Sequence, residues 1–570
     1  AYAAEPAGEK PEAPRPATAT ESPQPGAGAD AAASAATPND RGEYLARLAN
    51  CVACHSIPNA PAFTGGLKMM TPLGAIYATN ITPDKETGIG NYTLEDFEKA
   101  LRKGVAKDGH RLYPAMPYPS YAKISDDDVK ALYDYFMKSV PAAKQANLPS
   151  EIPAPLNMRW PLAIWNVLFF DDKPYQQKKE HDASWNRGAY IVQGLGHCGA
   201  CHTPRGIAFN EKGYDETDSD FLVGAPLDNW SAPNLTQAQN TGLGRWSQDE
   251  IMEFMKTGKN KHGSAFGTMI EVINNSSQFM TDDDHVAVAA YLKSLKPQRE
   301  TITAAYQHDA QTATELRSGK LGAGATVYMQ SCMSCHGADG KGYAPYLPPL
   351  AGNPAVLDSD PSSLINITLN GSARIVVKGM PDSYRMPQFR VMLSDQKIAD
   401  VVSFMRTSWG KYKIIATARK PSDASELQAL AKADKNIAVE ALDVTDLAAI
   451  DALAAKYKGA PIDILLNNAG VIGKPLDEVF GRIPYSHFDD VMNTNVRGPL
   501  KMCEAFTEHV AASQQKKFAV VTSVEGSIAS QKSGARYFYK SSKAALNMAM
   551  RNVALAVKDR GILVAMVCPG

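Results

Sequence analysis

One short pattern, Cys-x-x-Cys-His, occurs three times in the chain, at residues 51–55, 198–202 and 332–336. Residues three apart share one face of a helical turn, so two such thiols can reach the two vinyl groups of one porphyrin. The next residue, a histidine, is then placed to ligate the iron. The pattern is the attachment signature of c-type haem. We therefore predict three covalently bound haem c groups. Their thioether residues are Cys51, Cys54, Cys198, Cys201, Cys332 and Cys335, and their iron-binding histidines are His55, His202 and His336.

Two other functions of paired cysteines fit the sequence less well. A thioredoxin-like redox pair usually lies beside a βαβ pattern, which does not surround these motifs. A structural zinc site needs a second ligand pair about 12–20 residues further on, and none of the three motifs has one.

Each motif lies within a longer repeat. A short helical segment precedes it, and a helix with a polar or acidic first turn closes the repeat. These closing helices are predicted to begin after Ser125, Thr281 and Ser394. Serine or threonine at the N-cap satisfies free backbone N–H groups, and acidic residues in the first turn suit the helix dipole.

Each iron needs a second axial ligand, and the soft thioether of methionine is a common one. Met116 and Met386 precede prolines in extended loops between a haem motif and a closing helix. Met269 occupies the same place in the second repeat, with Met280 as its rival. We predict Met116, Met269 and Met386 as the ligands. The alternative is that they are gap-filling core residues.

Residues 41–410 resemble the three-haem cytochrome c subunit of bacterial membrane-bound dehydrogenases that oxidise alcohols, aldehydes, gluconate, sorbitol or fructose. The segments that carry the resemblance include Tyr113-Pro-Ala-Met116-Pro, His197-Cys-Gly-Ala-Cys-His202-Thr-Pro-Arg205 and Tyr384-Arg-Met386-Pro. The resemblance implies a mainly α fold of three class I cytochrome c domains in tandem. It also implies electron transfer from a large catalytic dehydrogenase subunit to membrane ubiquinone, with a third, small subunit as a further partner. On this basis the chain is not itself a catalyst on substrate.

The resemblance and the composition together place the chain. Haem c attachment implies the periplasm, with peripheral attachment to the outer face of the cytoplasmic membrane. With 59 Lys+Arg against 60 Asp+Glu, a general nucleic-acid partner is not expected. The predicted divisions are a disordered, Ala/Pro-rich N-terminus at 1–38, cytochrome c domain 1 at 39–150, a connector at 151–180, domain 2 at 181–300, domain 3 at 301–410, and a different segment at 411–570.

Residues 412–570 alternate predicted strands with helical stretches, as in a doubly wound parallel sheet. They resemble an incomplete short-chain dehydrogenase/reductase, which makes this part a truncated α/β, Rossmann-like segment. The resemblance assigns catalytic roles to Asn495, Ser523, Tyr539 and Lys543, and cofactor contacts to Arg419, Asp443, Asn468 and Gly470.

The same segment lacks the family's first strand and glycine-rich turn, which hold the cofactor pyrophosphate at a helix N-terminus. We therefore expect strands that pair wrongly or not at all, an inactive fragment, and no NADP binding. Two alternative functions stay open: NADP-dependent carbonyl reduction by this segment, and a haem enzyme with an open iron site.

Overall fold

The structure is a computed structural model that describes residues 41–299, 305–308, 311–318, 322–344, 346–381, 384–410, 414–433, 437–474, 478–513, 515–531 and 534–568. The predicted disordered N-terminus, 1–38, lies outside the described residues. The chain divides into two compact units. The first comprises residues up to Tyr175 together with Phe266–Met280 and Ser372–Arg385, and the second contains the rest.

The α-helices are α1 (Arg41–Leu48), α2 (Cys51–His55), α3 (Leu94–Lys103), α4 (Tyr118–Tyr121), α5 (Asp126–Lys138), α6 (Pro161–Phe169), α7 (Ala183–Tyr190), α8 (Gly199–His202), α9 (Gln248–Thr257), α10 (Met269–Asn275), α11 (Asp282–Ser294), α12 (Gln311–Ser318), α13 (Ala323–Ser331), α14 (Met333–His336), α15 (Pro354–Leu357), α16 (Ser362–Asn370), α17 (Asp395–Trp409), α18 (Ser425–Ala433), α19 (Leu447–Lys456), α20 (Phe488–Met492), α21 (Gly498–Ala505), α22 (Thr507–Ala511) and α23 (Tyr537–Ala556). The strands are β1 (Lys68–Thr71), β2 (Gly74–Tyr77), β3 (Ala225–Leu227), β4 (Trp230–Ala232), β5 (Lys259–Asn260), β6 (Gly263–Ser264), β7 (Ile414–Ala418), β8 (Ile437–Ala441), β9 (Ile464–Asn467), β10 (Lys517–Val521) and β11 (Leu563–Val567).

The same helix crossing occurs three times. α1 packs against α5, α7 against α11, and α13 against α17. In each pair a glycine of the first helix meets a backbone carbonyl of the second. A Cβ on Gly42, Gly188 or Gly324 would lie only 2.2, 2.0 or 2.2 Å from that carbonyl oxygen. The helices therefore approach too closely for any side chain at these positions.

Ion pairs reinforce two of the crossings. The Arg41 Nε donates to Asp128 at 2.9 Å across α1 and α5. Arg187 binds both carboxylate oxygens of Asp284 at 2.7 Å across α7 and α11. Because Asp128 and Asp284 are buried, their arginine partners compensate charges that would otherwise be costly to remove from water.

The predicted connector region has one packed and one exposed face. In the first unit, Trp165 and Phe170 contact the fully buried Tyr118 ring edge-on, and the Tyr118 hydroxyl bonds Asn166. On the opposite face of α6, Val167 is 84% exposed, and Ile164 and Leu168 are also exposed. Within the described part of the chain, no helix is both long and apolar enough to span a membrane.

The C-terminal strands form two separate parallel sheets. β7 pairs with β8, and β10 lies between β9 and β11. The expectation that these strands pair wrongly or not at all is therefore wrong, since every pairing is parallel and continuous. The expected gap is present, because no described strand joins β7 to β9. Ile464 and Leu466 of β9 are more than half exposed.

Candidate haem sites

The three cysteine pairs all lie at helical turns. The first pair is within α2, while the second and third begin one residue before α8 and α14. Burial raises the pKa of Cys51, Cys198 and Cys332, each to about 12. A redox-active or metal-binding cysteine needs an accessible thiolate and hence a lowered pKa. Burial therefore favours the protonated thiol at the first cysteine of each motif.

A structural zinc site would need further ligands beside each cysteine pair. Among the residues that the structure describes, no group of three or more His, Cys, Asp or Glu side chains is arranged to hold a metal ion. A structural zinc ion takes four such ligands. The cysteine pairs are therefore not halves of zinc sites formed with other described side chains.

Each motif histidine is oriented by a backbone carbonyl. The Nδ1 atoms of the three histidines lie at hydrogen-bond distance from carbonyl oxygens further along the chain. The pairs are His55 with Thr79 at 2.7 Å, His202 with Pro233 at 2.7 Å, and His336 with Pro348 at 3.0 Å. A carbonyl only accepts, so Nδ1 carries the proton and Nε2 keeps its lone pair. A hydrogen bond from the other ring nitrogen is how proteins orient a metal-binding imidazole.

The histidine backbones are held in the same way in all three motifs. Each histidine carbonyl accepts a hydrogen bond from a glycine N–H. The donors are Gly65 at 2.8 Å, Gly224 at 2.8 Å and Gly342 at 2.9 Å, and each of these glycines has a positive φ. Burial lowers the pKa of the three histidines, outweighing the carbonyl hydrogen bond. Each imidazole is therefore neutral near pH 7 and can donate its Nε2 lone pair to iron.

The three predicted methionine ligands lie in different settings, and all are half-buried. Met116 is in a loop whose next turn is fixed by a 2.7 Å bond from the Tyr118 N–H to the Met116 carbonyl. Met386 packs against the hydrophobic core that contains Cys332 and Trp409. Met269 begins α10, which belongs to the first unit, whereas His202 belongs to the second. The methionine assignments stay predictions.

Several buried donors suit a cofactor that bears carboxylates. They have no hydrogen-bond partner among the described residues, and they include Tyr113 Oη, Trp246 Nε1, Lys259 Nζ and Trp409 Nε1. A buried donor left without an acceptor costs free energy. A haem carries two propionates, which would supply acceptors. The donor set, the cysteine pairs and the oriented histidines therefore fit haem c.

A second group of predicted residues surrounds a cavity in the C-terminal segment. Asn468, Gly470, Ser523, Tyr539 and Lys543 all line it. The Lys543 Nζ donates to the Val521 carbonyl at 2.9 Å and lies 5.7 Å from the centre of the Tyr539 ring. Burial lowers the pKa of Lys543.

The other predicted residues of that segment lie around the cavity or apart from it. Asn495 is fully buried, exchanges two 2.8 Å hydrogen bonds with the backbone of Val471, and donates to Ser542. Arg419 and Asp443 are near enough for Arg419 to contribute to the lowered pKa of Asp443, after the hydrogen bonds from Thr445. Neither of them lines the cavity.

Sequence reasoning missed the carbonyls that orient the histidines, and it missed Lys259. A signal for two of the carbonyls is present. Asn80-Ile-Thr82 and Asn234-Leu-Thr236 directly follow Thr79 and Pro233, and each asparagine Oδ1 accepts from the threonine N–H two residues on. These matched turns fix the two carbonyl segments alike.

Two family models match different parts of the chain. The cytochrome c family model matches residues 186–296 and 321–409, and the short chain dehydrogenase family model matches 406–570. The gluconate 2-dehydrogenase cytochrome c subunit of Pantoea cypripedii is 50% identical over 375 residues, which cover 65% of this chain and 85% of that protein. The chain belongs to the dehydrogenase cytochrome c subunit family.

Other members and structures extend the comparison. The cytochrome c subunit of the quinone alcohol dehydrogenase of Gluconobacter oxydans is 48% identical to this chain, over 65% of this chain and 78% of that protein. A crystal structure of NADPH-bound carbonyl reductase from chicken fatty liver is 29% identical over 30% of this chain and 74% of its own, with a TM-score of 0.27. The matching cytochrome c family model supports covalently bound haem c in this chain, and the relatives named above are cytochrome c subunits of dehydrogenases.

Proposed function

We propose that the chain carries three haems c, one at each motif, in three tandem cytochrome c domains. The observation that carries this proposal is the threefold repetition of one arrangement. In each repeat a glycine permits a close helix crossing, a histidine Nδ1 bonds a backbone carbonyl, and a glycine N–H bonds the histidine carbonyl. The family model matches the second and third repeats, and the first shares their geometry.

We propose His55, His202 and His336, together with Met116, Met269 and Met386, as the residues that would ligate the haem irons. When bound, each haem supplies a one-electron Fe(III)/Fe(II) couple. The chain's part is to fix the ligands, because a neutral histidine held at Nδ1 does not have to reorient as the iron changes charge. Methionine as the second ligand raises the reduction potential.

We further propose that electrons enter from a large catalytic dehydrogenase subunit and leave to ubiquinone. The names of the relatives, gluconate 2-dehydrogenase and quinone alcohol dehydrogenase, support both ends of this path. The proposed location is the periplasm, on the outer face of the cytoplasmic membrane, with a third small subunit in the complex.

Two measurements test this path. Affinity purification from the native host is expected to recover a large dehydrogenase subunit with its own cofactor, and recovery of the chain alone would contradict the partner. Anaerobic mixing of the reduced chain with a water-soluble ubiquinone is expected to oxidise its haems, with quinone-free buffer as the control. Haems that stay reduced would contradict the proposed acceptor.

For the C-terminal segment we propose no catalytic function. Its tyrosine, lysine and serine line one cavity, but the parallel sheet is divided between β7 and β9. The strand ends that would flank a bound dinucleotide are therefore not joined. Dinucleotides bind across the crevice at the point where the strand order of a continuous parallel sheet reverses.

A further inference from the structure

Among the residues that the structure describes, Lys259 is a buried cation with no anionic partner. Lys259 is the first residue of β5 and directly follows Gly258, the C-cap of α9. The residue is only 3% exposed. Its ammonium group lies 4.9 Å from the centre of the Tyr346 ring, and its Nζ has no hydrogen-bond partner among the described residues. A cation over an aromatic face is attracted to it. That attraction replaces only part of the hydration that a buried ammonium loses.

Lys259 lies in the second repeat and contacts the third. Tyr346 lies two residues before Pro348, whose carbonyl orients His336. On the strand paired with β5, a Cβ at Gly263 would lie 3.1 Å from the Asn353 side chain. Lys259 therefore lies where the second repeat packs against the loop that follows the third motif.

A second buried donor lies beside the same hairpin. The Trp246 ring stacks on His262, which sits in the β5–β6 turn, with the ring centres 5.1 Å apart and the planes 10° apart. The Trp246 Nε1 is likewise buried with no hydrogen-bond partner among the described residues. Two donors next to one hairpin thus lack acceptors, and one of the donors is charged. A carboxylate is the group that would satisfy both needs.

We propose that Lys259 binds a propionate carboxylate of a haem at the junction of the second and third repeats and raises the reduction potential of that haem. The proposal rests on the covalent haems of the proposed function. Reduction adds one negative charge to the haem, and a nearby ammonium in a buried site stabilises the reduced form. Removing the charge should therefore favour the oxidised form.

The first repeat offers an internal comparison. In the first repeat, Gly104 follows helix α3 as its C-cap. Like Gly258, the C-cap of α9, it has a left-handed backbone conformation. In both, the glycine carbonyl accepts a hydrogen bond from a later N–H, from Leu112 or Ala265. The residue after the cap is Val105 in the first repeat and Lys259 in the second. The first repeat thus has no ammonium at this position, and the three haems need not be equivalent.

The test is a redox titration of the full-length haem-loaded chain carrying Lys259→Met. We expect one haem midpoint to fall by the equivalent of at least a tenfold change in its one-electron equilibrium, which is about 59 mV, while the other two stay in place. Lys259→Arg should keep the wild-type midpoints. Lys261→Met is the matched control, since Lys261 is exposed in the same hairpin and pairs with Glu250; it should shift no midpoint by that amount.

The haem content distinguishes a failure of this proposal from a failure of the proposed function on which it rests. A pyridine haemochrome assay on each variant first confirms three haems per chain, and fewer in the wild type would count against the proposed function instead. If Lys259→Met does not load three haems, Lys259→Gln takes its place. Three unshifted midpoints in a fully loaded neutral variant, or equal shifts in the Lys261→Met control, would overturn the role of Lys259.

Discussion

Replacing Gly188, at the α7–α11 crossing, by alanine should destabilise the second repeat. A Cβ at Gly188 would lie 2.0 Å from the Ala287 oxygen and 2.8 Å from the Tyr291 Cβ, whereas real Cβ atoms essentially never approach within 3.0 Å of such neighbours. The helices must therefore separate by about 1 Å. Both close contacts involve atoms held in α11, so a flexible side chain cannot move aside to relieve them.

The expected cost follows from two opposing effects. Overpacking of a core costs about 3 kcal/mol at the upper end of its usual range. Alanine regains about 1 kcal/mol over glycine inside a helix. The net destabilisation is about 2 kcal/mol. With a urea m value of about 2 kcal/mol/M, the unfolding midpoint of the second repeat should fall by about 1 M.

The assay is urea unfolding followed by far-ultraviolet circular dichroism, with Gly322→Ala as the matched control. Gly322 has a negative φ, and a Cβ there would meet no atom within 4 Å. Because Gly322 is the N-cap of α13, alanine there should lower the free energy of unfolding by no more than about 1 kcal/mol. Equal midpoints for the two variants would refute the close-crossing argument, and with it the strongest packing evidence for cytochrome-like repeats.

Three further predictions concern the Met386 ligand, the C-terminal segment and Glu250. Met386→Ala should convert one haem to a high-spin ferric form in the optical spectrum and lower its midpoint potential, because a soft ligand is lost; an unchanged spectrum would rule out this ligand. Calorimetric titration of the chain with NADPH should show no saturable binding, and tight binding abolished by Tyr539→Phe would contradict the inactive assignment. Despite the opposing effect of burial, Lys261, the Ser247 N–H and His262 lower the pKa of Glu250 to about 2. The ionised Glu250 should therefore stabilise the fold above its usual pKa, and this stabilisation should be lost as the pH falls toward 2. The difference in urea midpoint between wild type and Glu250→Gln should shrink over that range. A constant difference would contradict the lowered pKa.

Local features were predictable from the sequence. The caps Ser125, Thr281 and Ser394 each accept a hydrogen bond from an N–H three residues on, as predicted for the closing helices. The sequence predicts strands of the C-terminal segment at residues 412–419, 436–442, 462–466 and 518–522. The strands β7, β8, β9 and β10 begin and end within two residues of these bounds. Such features depend on a few neighbouring residues, so the sequence carries them directly.

Long-range features were not predictable. β11 was not foreseen, and neither was the continuous parallel pairing of β9, β10 and β11. The grouping of residues 266–280 with the first unit and the exposed face of α6 were also missed. Each depends on which distant segment packs against which. The apolar residues of 158–170 predict a packed connector, because their composition is the same whether the outer face of the helix is covered or open.

The most direct test of the account is the number of haems per chain. Pyridine haemochrome absorbance, referred to protein concentration and checked by intact mass, should give three covalently bound haems. The double variant Cys332→Ala/Cys335→Ala should give two. A wild-type chain with fewer than three covalent haems, or a double variant that keeps all of them, would contradict the assignment of one haem to each Cys-x-x-Cys-His motif.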